Sequence, residues 1–354
     1  MNGWAVVKNG APLEILEVST PVPTGTQVLL KTTFCGVCHS DLYFQDGYYE
    51  LGGGKRLSLA DRGITLPFIP GHETVGVVVA FGPDAKGVAI GDHRLVYPWM
   101  GCGSCSRCKL GNEHLCLVKP MTLGVLRSGG FGTHVLAERP EHLIDFGNVD
   151  PALAATYACS GVTAYSAVRK LLPAEPGDGI VIVGAGGLGL AAIRILRALG
   201  HVNIIAVDIS PDKRRIAVEQ GAKVAIDGKI AGLAAEITKA AGAPVIGTVD
   251  FVSTNATATA GIEVLSKGGS YIPVGLYGGD ITLPLPSIPL RAIAIRGSYT
   301  GSLNDLRELV ELAKSGKLGS TPIERIPHNH SNLAMDRVRA GDVAGRLVLE
   351  VGGA

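Results

Sequence analysis

The sequence predicts an α/β protein in which a β-rich domain is interrupted by a doubly wound domain built on a parallel sheet. Three observations predict it. Residues 1 to about 150 hold short Val-rich runs separated by Gly, Pro and Asp, such as QVLLKTTF (27–34) and TVGVVVAFG (74–82). From about 160 short apolar runs alternate with helical stretches. After 300 the alternation gives way to a helix, a loop, a short helix and a last strand, GRLVLEV (345–351). Strands joined directly by turns suit an antiparallel sheet. Strands separated by helices require a parallel one, because each crossover must pass over the sheet face.

Taken in order, the N-terminal MNGWAVVKNGAPLEILEV alternates like a strand. The runs 27–34 and 74–82 follow. IVIVGAG (180–186) is apolar without alternation, as in a strand buried on both faces. Next come a helix over 188–200, a strand over 203–210 and a helix over 211–221. Further strands are expected at 223–227, 248–253, 268–275 and 291–298, with helices between several of them. A helix over 302–316, a Pro/His/Asn-rich loop and a short helix near 331–340 lead to the final strand. This tail is expected to return to the first domain, which divides the chain into 1–160, 161–298 and 299–354.

Composition bounds the function. A chain of 354 residues with 46% apolar and 18% charged residues can bury two cores and is not disordered. Its 49 glycines are dispersed, without collagen-like period or repeat. Lys plus Arg total 32 against 31 Asp plus Glu, so charge gives no reason to expect a nucleic-acid or membrane partner. The N-terminus lacks the pattern of a signal peptide. The most apolar segment, IVIVGAGGLGLAAIRILRAL, is broken by glycines and by Arg194 and Arg197. A cytoplasmic setting is therefore expected, in which clustered cysteines bind metal rather than pair as disulfides.

GAGGLG (184–189) matches the G-x-G-x-x-G pattern between a predicted strand and a predicted helix. Gly184 permits a tight turn, Gly186 lets the backbone approach a pyrophosphate, and Gly189 lets helix pack on strand. The N–H groups at the helix start, through Gly187 and Leu188, face the phosphates. Asp208 closes the next predicted strand. A carboxylate there accepts the adenosine ribose hydroxyls and repels a 2′-phosphate, which points to NAD over NADP. The bland alternative is a glycine-rich turn that binds nothing.

Cys102, Cys105, Cys108 and Cys116 stand in GCGSCSRCKLGNEHLC with spacing C-x2-C-x2-C-x7-C. Four thiolates suit a tetrahedral zinc with no open position, a structural site. Two disulfides, an iron–sulfur cluster and unligated thiols compete, although the x3-C-P of the bacterial ferredoxin run is absent. A second group is dispersed: Cys38 in CGVCHSD (35–41), His72 and Glu73 in PGHETVG (70–76), and Cys159 in ACSGVTAY (158–165). Singly, each thiol could be a packed apolar group and the imidazole merely hydrogen-bonded. Cys35 with Cys38 could form a redox pair, but no thioredoxin-like pattern surrounds them, and Cys35 is read as packed.

These motifs in this order resemble the zinc-dependent alcohol dehydrogenases of the medium-chain dehydrogenase/reductase superfamily, over nearly the whole chain. The resemblance implies a GroES-like catalytic domain interrupted by a Rossmann domain. By position it makes Cys38, His72 and Cys159 the ligands of a catalytic zinc, with Glu73 beside them and Asp41 as the supporting acid. It makes Ser40 the hydroxyl that takes the substrate proton. His39 and Arg346 would face the cofactor pyrophosphate, Thr163 the nicotinamide, and Lys213 would join Asp208 at the ribose. Trp99 would be a pocket wall. The implied reaction moves a hydride between an alcohol and NAD, with two zinc ions per chain and a homodimer or homotetramer as the assembly.

Two departures from the family stand out. Many members place a proton-relaying histidine three residues after the relay hydroxyl, where this chain has Tyr43. A phenol with a pKa near ~10 is a poor base, so water is the expected exit. The spacer between Cys38 and His72 is also roughly ten residues longer than in compact members, and long loops in compact domains are usually functional or mobile. The extra length lies in 46–67, where Tyr48, Tyr49 or Leu51 is expected to cap the pocket or meet a neighbouring subunit, a solvated insertion being the alternative. The competing functions are a polyol or sugar dehydrogenase, a zinc-free enoyl or quinone reductase, and a zinc-stabilised NAD-binding sensor.

Overall fold

The computed structural model describes residues 1–352. Six strands form a wholly parallel sheet. They are Gly179–Val183, Ile204–Asp208, Val224–Asp227, Val245–Asp250, Ser270–Pro273 and Ala294–Ile295. Counted in chain order they lie 3-2-1-4-5-6 across the sheet. The order reverses between the first strand and the fourth, and the chain ends of neighbouring strands diverge there to leave a crevice. Helices Gly187–Ala198, Pro211–Glu219, Leu233–Ala241 and Asn255–Glu263 provide crossovers. Ile180, Val181, Ile182 and Val183 are all buried, as a strand covered on both faces requires.

The other sheet has seven strands. Val28–Gly36 lies at its centre, antiparallel to Glu73–Phe81, to His134–Ala137 and to the last strand, Arg346–Glu350. Ile323–Pro327 pairs with that last strand. The C-terminal tail thus pairs with Val28–Gly36 from the first part of the chain. One apolar cluster runs from Leu95, Tyr97 and Trp99 through Tyr165 and Val168 to Ile180, Ile182 and Leu190. The two sheets therefore share a core through helix Val162–Arg169.

The structure corrects several boundaries. The N-terminal alternation is two short strands, Asn2–Ala5 and Glu14–Glu17, paired as a hairpin. The strand expected at 248–253 is Val245–Asp250. It stops because the Asp250 carboxylate accepts the N–H groups of Val252 and Ser253, both at 2.8 Å, and turns the chain, with Ser253 at φ 61°. The strand expected over 291–298 shrinks to Ala294–Ile295 at the sheet edge. Residues 46–67 are not an unstructured loop. Tyr48–Gly52 and Lys55–Ser58 form an antiparallel hairpin, followed by a 3-10 turn at Ala60–Arg62. No helix among the described residues is long and apolar enough to cross a membrane.

Candidate active site and metal centres

Cys38, His72 and Cys159 come from three separate elements. Cys38 caps helix His39–Asp46 in an extended conformation, and its N–H donates to Asp41 Oδ2 at 2.9 Å. This back-bond from the third helical position is why CHSD starts a helix. The other Asp41 oxygen, Oδ1, accepts the Gly71 N–H at 3.3 Å and lies 3.2 Å from His72 Nδ1, off the line of a good hydrogen bond. One buried carboxylate thus braces Cys38 and His72 together. Gly71, at φ 97°, must be glycine: an added Cβ would meet Phe131 Cδ1 at 2.5 Å and Cys35 Sγ at 2.8 Å. Cys35 itself is a buried thiol beside Thr74, packed as expected.

Cys159 sits on a π turn, Tyr157–Gly161, set between helices Pro151–Thr156 and Val162–Arg169. Such a widened turn re-aims one side chain without breaking the helix axis, and is frequent at functional sites. The ligand atoms of the three residues lie within 4.8 Å of one another, and all three residues are buried. The two sulfurs are 3.9 Å apart. Sharing a hydrogen bond with Cys159, Cys38 is pushed down in pKa, while that same bond and burial push Cys159 up. Burial depresses His72, but Asp41 and Cys38 outweigh it and hold the imidazole above its ordinary value. His72 Nε2 has no hydrogen-bond partner. Two convergent sulfurs and an orphaned ring nitrogen, in a dry site with a carboxylate behind the ring, fit a zinc ion with one open position.

Glu73 is wholly buried, which raises its pKa, while Arg346 opposes the rise. Its Oε1 accepts the Ser160 N–H at 3.0 Å, and Oε2 is ion-paired with Arg346 Nη2. Gly36 makes room for it: a Cβ there would meet Glu73 Oε2 at 1.9 Å. Arg346 in turn lies against the glycine loop, where a Cβ on Gly187 would meet its Cδ at 2.4 Å. Its Nε is buried without a partner. Arg346 therefore bridges the surroundings of the Cys38–His72–Cys159 cluster and the loop, whereas the sequence placed it at the pyrophosphate alone.

The loop itself follows strand Gly179–Val183. Gly184 takes φ 86°, and a Cβ on Gly189 would lie 1.8 Å from Gly184 O, so helix Gly187–Ala198 packs where only glycine fits. Asp208 ends the next strand and accepts the N–H groups of Ala185 and Ser210, both at 2.8 Å. A cleft of about 990 Å³ runs from this carboxylate to the cysteines. Ser40, Thr163, Gly186, Leu188 and Lys213 line it, with Thr163 Oγ1 buried and unpartnered.

The four clustered cysteines also converge, with all ligand atoms within 4.8 Å of one another. Cys105 and Cys108 sulfurs are 3.5 Å apart, and Cys102 and Cys108 sulfurs 3.9 Å, far beyond a disulfide bond of ~2.05 Å. Backbone N–H groups of Cys105, Cys102 and Lys119 donate to Cys102 and Cys116 sulfurs at 3.4 Å. Hydrogen bonds led by Ser104 lower Cys102 to about 6, and burial raises Cys108 to about 12. Glu113 ties the lobe to the sheet, accepting from Gly101 N at 2.9 Å and Arg139 Nη2 at 2.6 Å, beside His142 Nε2 at 3.2 Å.

Residues 24–146 match the alcohol dehydrogenase GroES-like domain, and residues 187–315 match the zinc-binding dehydrogenase family. The NAD-dependent alcohol dehydrogenase of Sulfurisphaera tokodaii is 34% identical over 353 residues, 99% of each chain. The chain belongs to the zinc-binding alcohol dehydrogenases. The crystal structure of the Aeropyrum pernix alcohol dehydrogenase superposes on this dehydrogenase with a TM-score of 0.88, at 27% identity, covering 99% of this chain and 100% of the other. A D-arabinose 1-dehydrogenase (NADP(+)) of Saccharolobus solfataricus is 33% identical over 350 residues, 97% of this chain and 95% of that protein. The fold is thus GroES-like plus Rossmann, as the resemblance implied.

Where this dehydrogenase departs from its family, the structure shows how. Tyr43 donates its hydroxyl to Leu276 O at 3.0 Å, and burial holds its pKa well above that of a free phenol. It packs between His39 at 5.3 Å and Tyr49 at 5.1 Å, while His39 also meets Tyr277 at 5.2 Å. Of the three hairpin residues singled out, only Tyr49 lines the cleft. Tyr48 lies under the Arg56 guanidinium at 4.0 Å, and Leu51 is 52% exposed. Trp99 lines the cleft as expected, 5.4 Å from His72, with Nε1 donating to Ala158 O at 3.0 Å. Sequence reasoning missed Arg62, Ile64, Leu276, Tyr277 and Tyr299, which also line it. The last three follow the C-terminal ends of strands of the parallel sheet, the one signal that could have found them.

Proposed function

We propose that this dehydrogenase interconverts alcohols with aldehydes or ketones using NAD, and that Cys38, His72 and Cys159 hold its catalytic zinc. One observation carries the reading: Cys38 and Cys159 of the buried three-ligand cluster line the same cleft as the glycine loop and the Asp208 carboxylate it donates to. A zinc held by Cys38, His72 and Cys159 would supply a Lewis acid that makes a substrate hydroxyl acidic near neutral pH, and NAD in the cleft would supply the hydride acceptor. The chain's own residues hold, orient and exclude water. The Asp41 carboxylate lies behind the Nδ1 side of the imidazole, which would leave Nε2 for the metal. Glu73 is held back by Arg346 and balances charge behind the ligands. Ser40 Oγ takes the substrate proton, and with Tyr43 Oη already donating to Leu276 the proton leaves through water. Thr163 and the wall at Trp99 position the ring and the substrate, which places the reacting atoms near one another before reaction.

At the cofactor end, Gly184, Gly186, Gly187, Leu188 and Gly189 present backbone N–H groups to the pyrophosphate, with Arg346 and His39 alongside. Asp208 and Lys213 take the adenosine ribose, and the carboxylate sets NAD above NADP. Cys102, Cys105, Cys108 and Cys116 close around a second, structural zinc. Residues 1–160 with 299–354 form the catalytic domain and 161–298 the cofactor domain. The assembly is a homodimer or homotetramer in a cytoplasmic setting.

The D-arabinose relative keeps a sugar or polyol substrate in view; Cys159 as third ligand favours simple alcohols, because polyol relatives often use a carboxylate there. The test is a panel of ethanol, benzyl alcohol and sorbitol with NAD and NADP, alongside a metal count. The expected result is turnover of the first two with NAD and two zinc ions per chain. Sorbitol alone as substrate, or no bound zinc, would overturn the reading.

A further inference from the structure

The substrate end of the cleft carries positive charge that no carboxylate answers. Arg62 and Arg107 both line the cleft, and among the described residues neither is ion-paired. The third arginine of the cleft lining, Arg346, is paired with Glu73. Two carboxylates line the same cleft. Asp208 is at the far, cofactor end and already accepts two backbone N–H groups. Glu113 is occupied by Gly101, Arg139 and His142. Asp61, next to Arg62 in the turn, is exposed and is in no ion pair either, among the described residues.

Arg62 is itself exposed, and what is held in place is its backbone. It ends the 3-10 turn Ala60–Arg62, whose N–H groups close on Leu59 O at 3.0 Å and Ala60 O at 2.9 Å, and Gly63 stops the turn at φ 81°. Its charge reaches Tyr49 and Tyr299, where it counteracts the rise in hydroxyl pKa that burial causes. Tyr299 packs on Trp99 at 6.0 Å, and Trp99 packs on His72. The cleft lining therefore leads from the candidate metal ligands through an aromatic wall to a guanidinium that lies beside Tyr299 and, among the described residues, has no carboxylate partner.

We propose that Arg62 anchors a carboxylate carried by the substrate at the end remote from the reacting hydroxyl, so that the preferred substrates are hydroxy acids with an aromatic or alkyl middle. This deepens the alcohol dehydrogenase reading and rests on it. A guanidinium fork matches a carboxylate with two parallel hydrogen bonds, and a charged pair of this kind is stronger than a neutral one. The aromatic wall accommodates the apolar middle. Arg107, on the four-cysteine lobe, adds to the field that draws an anion in.

The test compares 4-(hydroxymethyl)benzoate with benzyl alcohol as substrates of the zinc-replete enzyme with NAD. The expected ratio of kcat/KM, charged over neutral, is at least about tenfold, and it falls as salt screens the anchor. Arg62→Gln is expected to bring the ratio down about tenfold, and Arg62→Lys to restore part of it. A thermal melt of each variant separates misfolding from loss of the anchor. A ratio at or below one in the unmodified enzyme, or a ratio untouched by Arg62→Gln in a folded variant, overturns the anchor while benzyl alcohol turnover leaves the dehydrogenase reading intact. Absence of turnover on every alcohol overturns both.

Discussion

Tyr43 holds the position where a relay histidine is common, and the structure explains why it cannot take that role. Its hydroxyl is a donor to Leu276 O, and burial disfavours the phenolate. Tyr43→His is therefore expected to raise kcat at low pH or leave it unchanged, read from a pH–rate profile. A large loss with fold and zinc retained would show a necessary role for the phenol. Glu113 governs a different property. Burial raises its pKa, but the hydrogen bonds from His142 and Gly101 and the charges of His142 and Arg139 outweigh this and hold it at about 2. Since the folded value lies below the unfolded one of ~4.3, its stabilisation is whole above that value and fades as pH falls toward 2. The stability gap between the unmodified protein and Glu113→Gln, measured by urea denaturation, should shrink between pH 5 and pH 3. A gap that stays constant would mean the carboxylate is not what holds the lobe.

Among the elements, the hairpin Tyr48–Ser58 is the one that family pattern did not supply. Its ends meet, with Leu59 N–H donating to Gly47 O at 2.9 Å, so it projects from a closed neck. Its tip reaches the cofactor domain, where a Cβ on Gly52 would meet Gly279 O at 2.8 Å. Replacing 48–58 with a two-residue link should leave the fold intact, because little of the core is removed. KM for benzyl alcohol should rise several-fold through loss of Tyr49. Unchanged KM and unchanged subunit number would make the hairpin a solvated insertion. The π turn at Tyr157–Gly161 is the second such element. Nothing in ACSGVTAY announces it; in the fold Trp99 Nε1 donates to Ala158 O, and Leu309 packs so close to Gly161 that a Cβ there would meet it at 2.9 Å.

At the scale of the whole molecule, the two cysteine groups divide the labour between stability and chemistry. The four-cysteine lobe is partly exposed and has few apolar residues of its own, so the zinc proposed there would be its main cross-link. Cys108→Ser should lose one zinc per chain and lower Tm by several degrees. Cys159→Ser should lose the other zinc and the activity, with a smaller change in Tm, because its surroundings are held by the shared core. Metal counts and calorimetry on both variants check this. Equal losses of Tm would mean that the two sites support the fold alike.

The sequence by itself determined what depends on neighbours in the chain. Four cysteines within fifteen residues can reach one ion whatever the rest does. A glycine loop after an apolar run can only be a tight turn under a helix, and Asp208 at the next strand end follows from strand length. Tertiary structure decided what depends on distant segments meeting. Cys38, His72 and Cys159 became a site only through a helix cap, a braced turn and a π turn, with Asp41 tying the first two. Arg346 found Glu73 across the sheet, and Arg62 came to face the cleft with no ion-pair partner among the described residues. The reason is range: backbone geometry fixes contacts over a few residues, whereas which long-range contacts form, and which charges are left unanswered, depends on how whole elements pack.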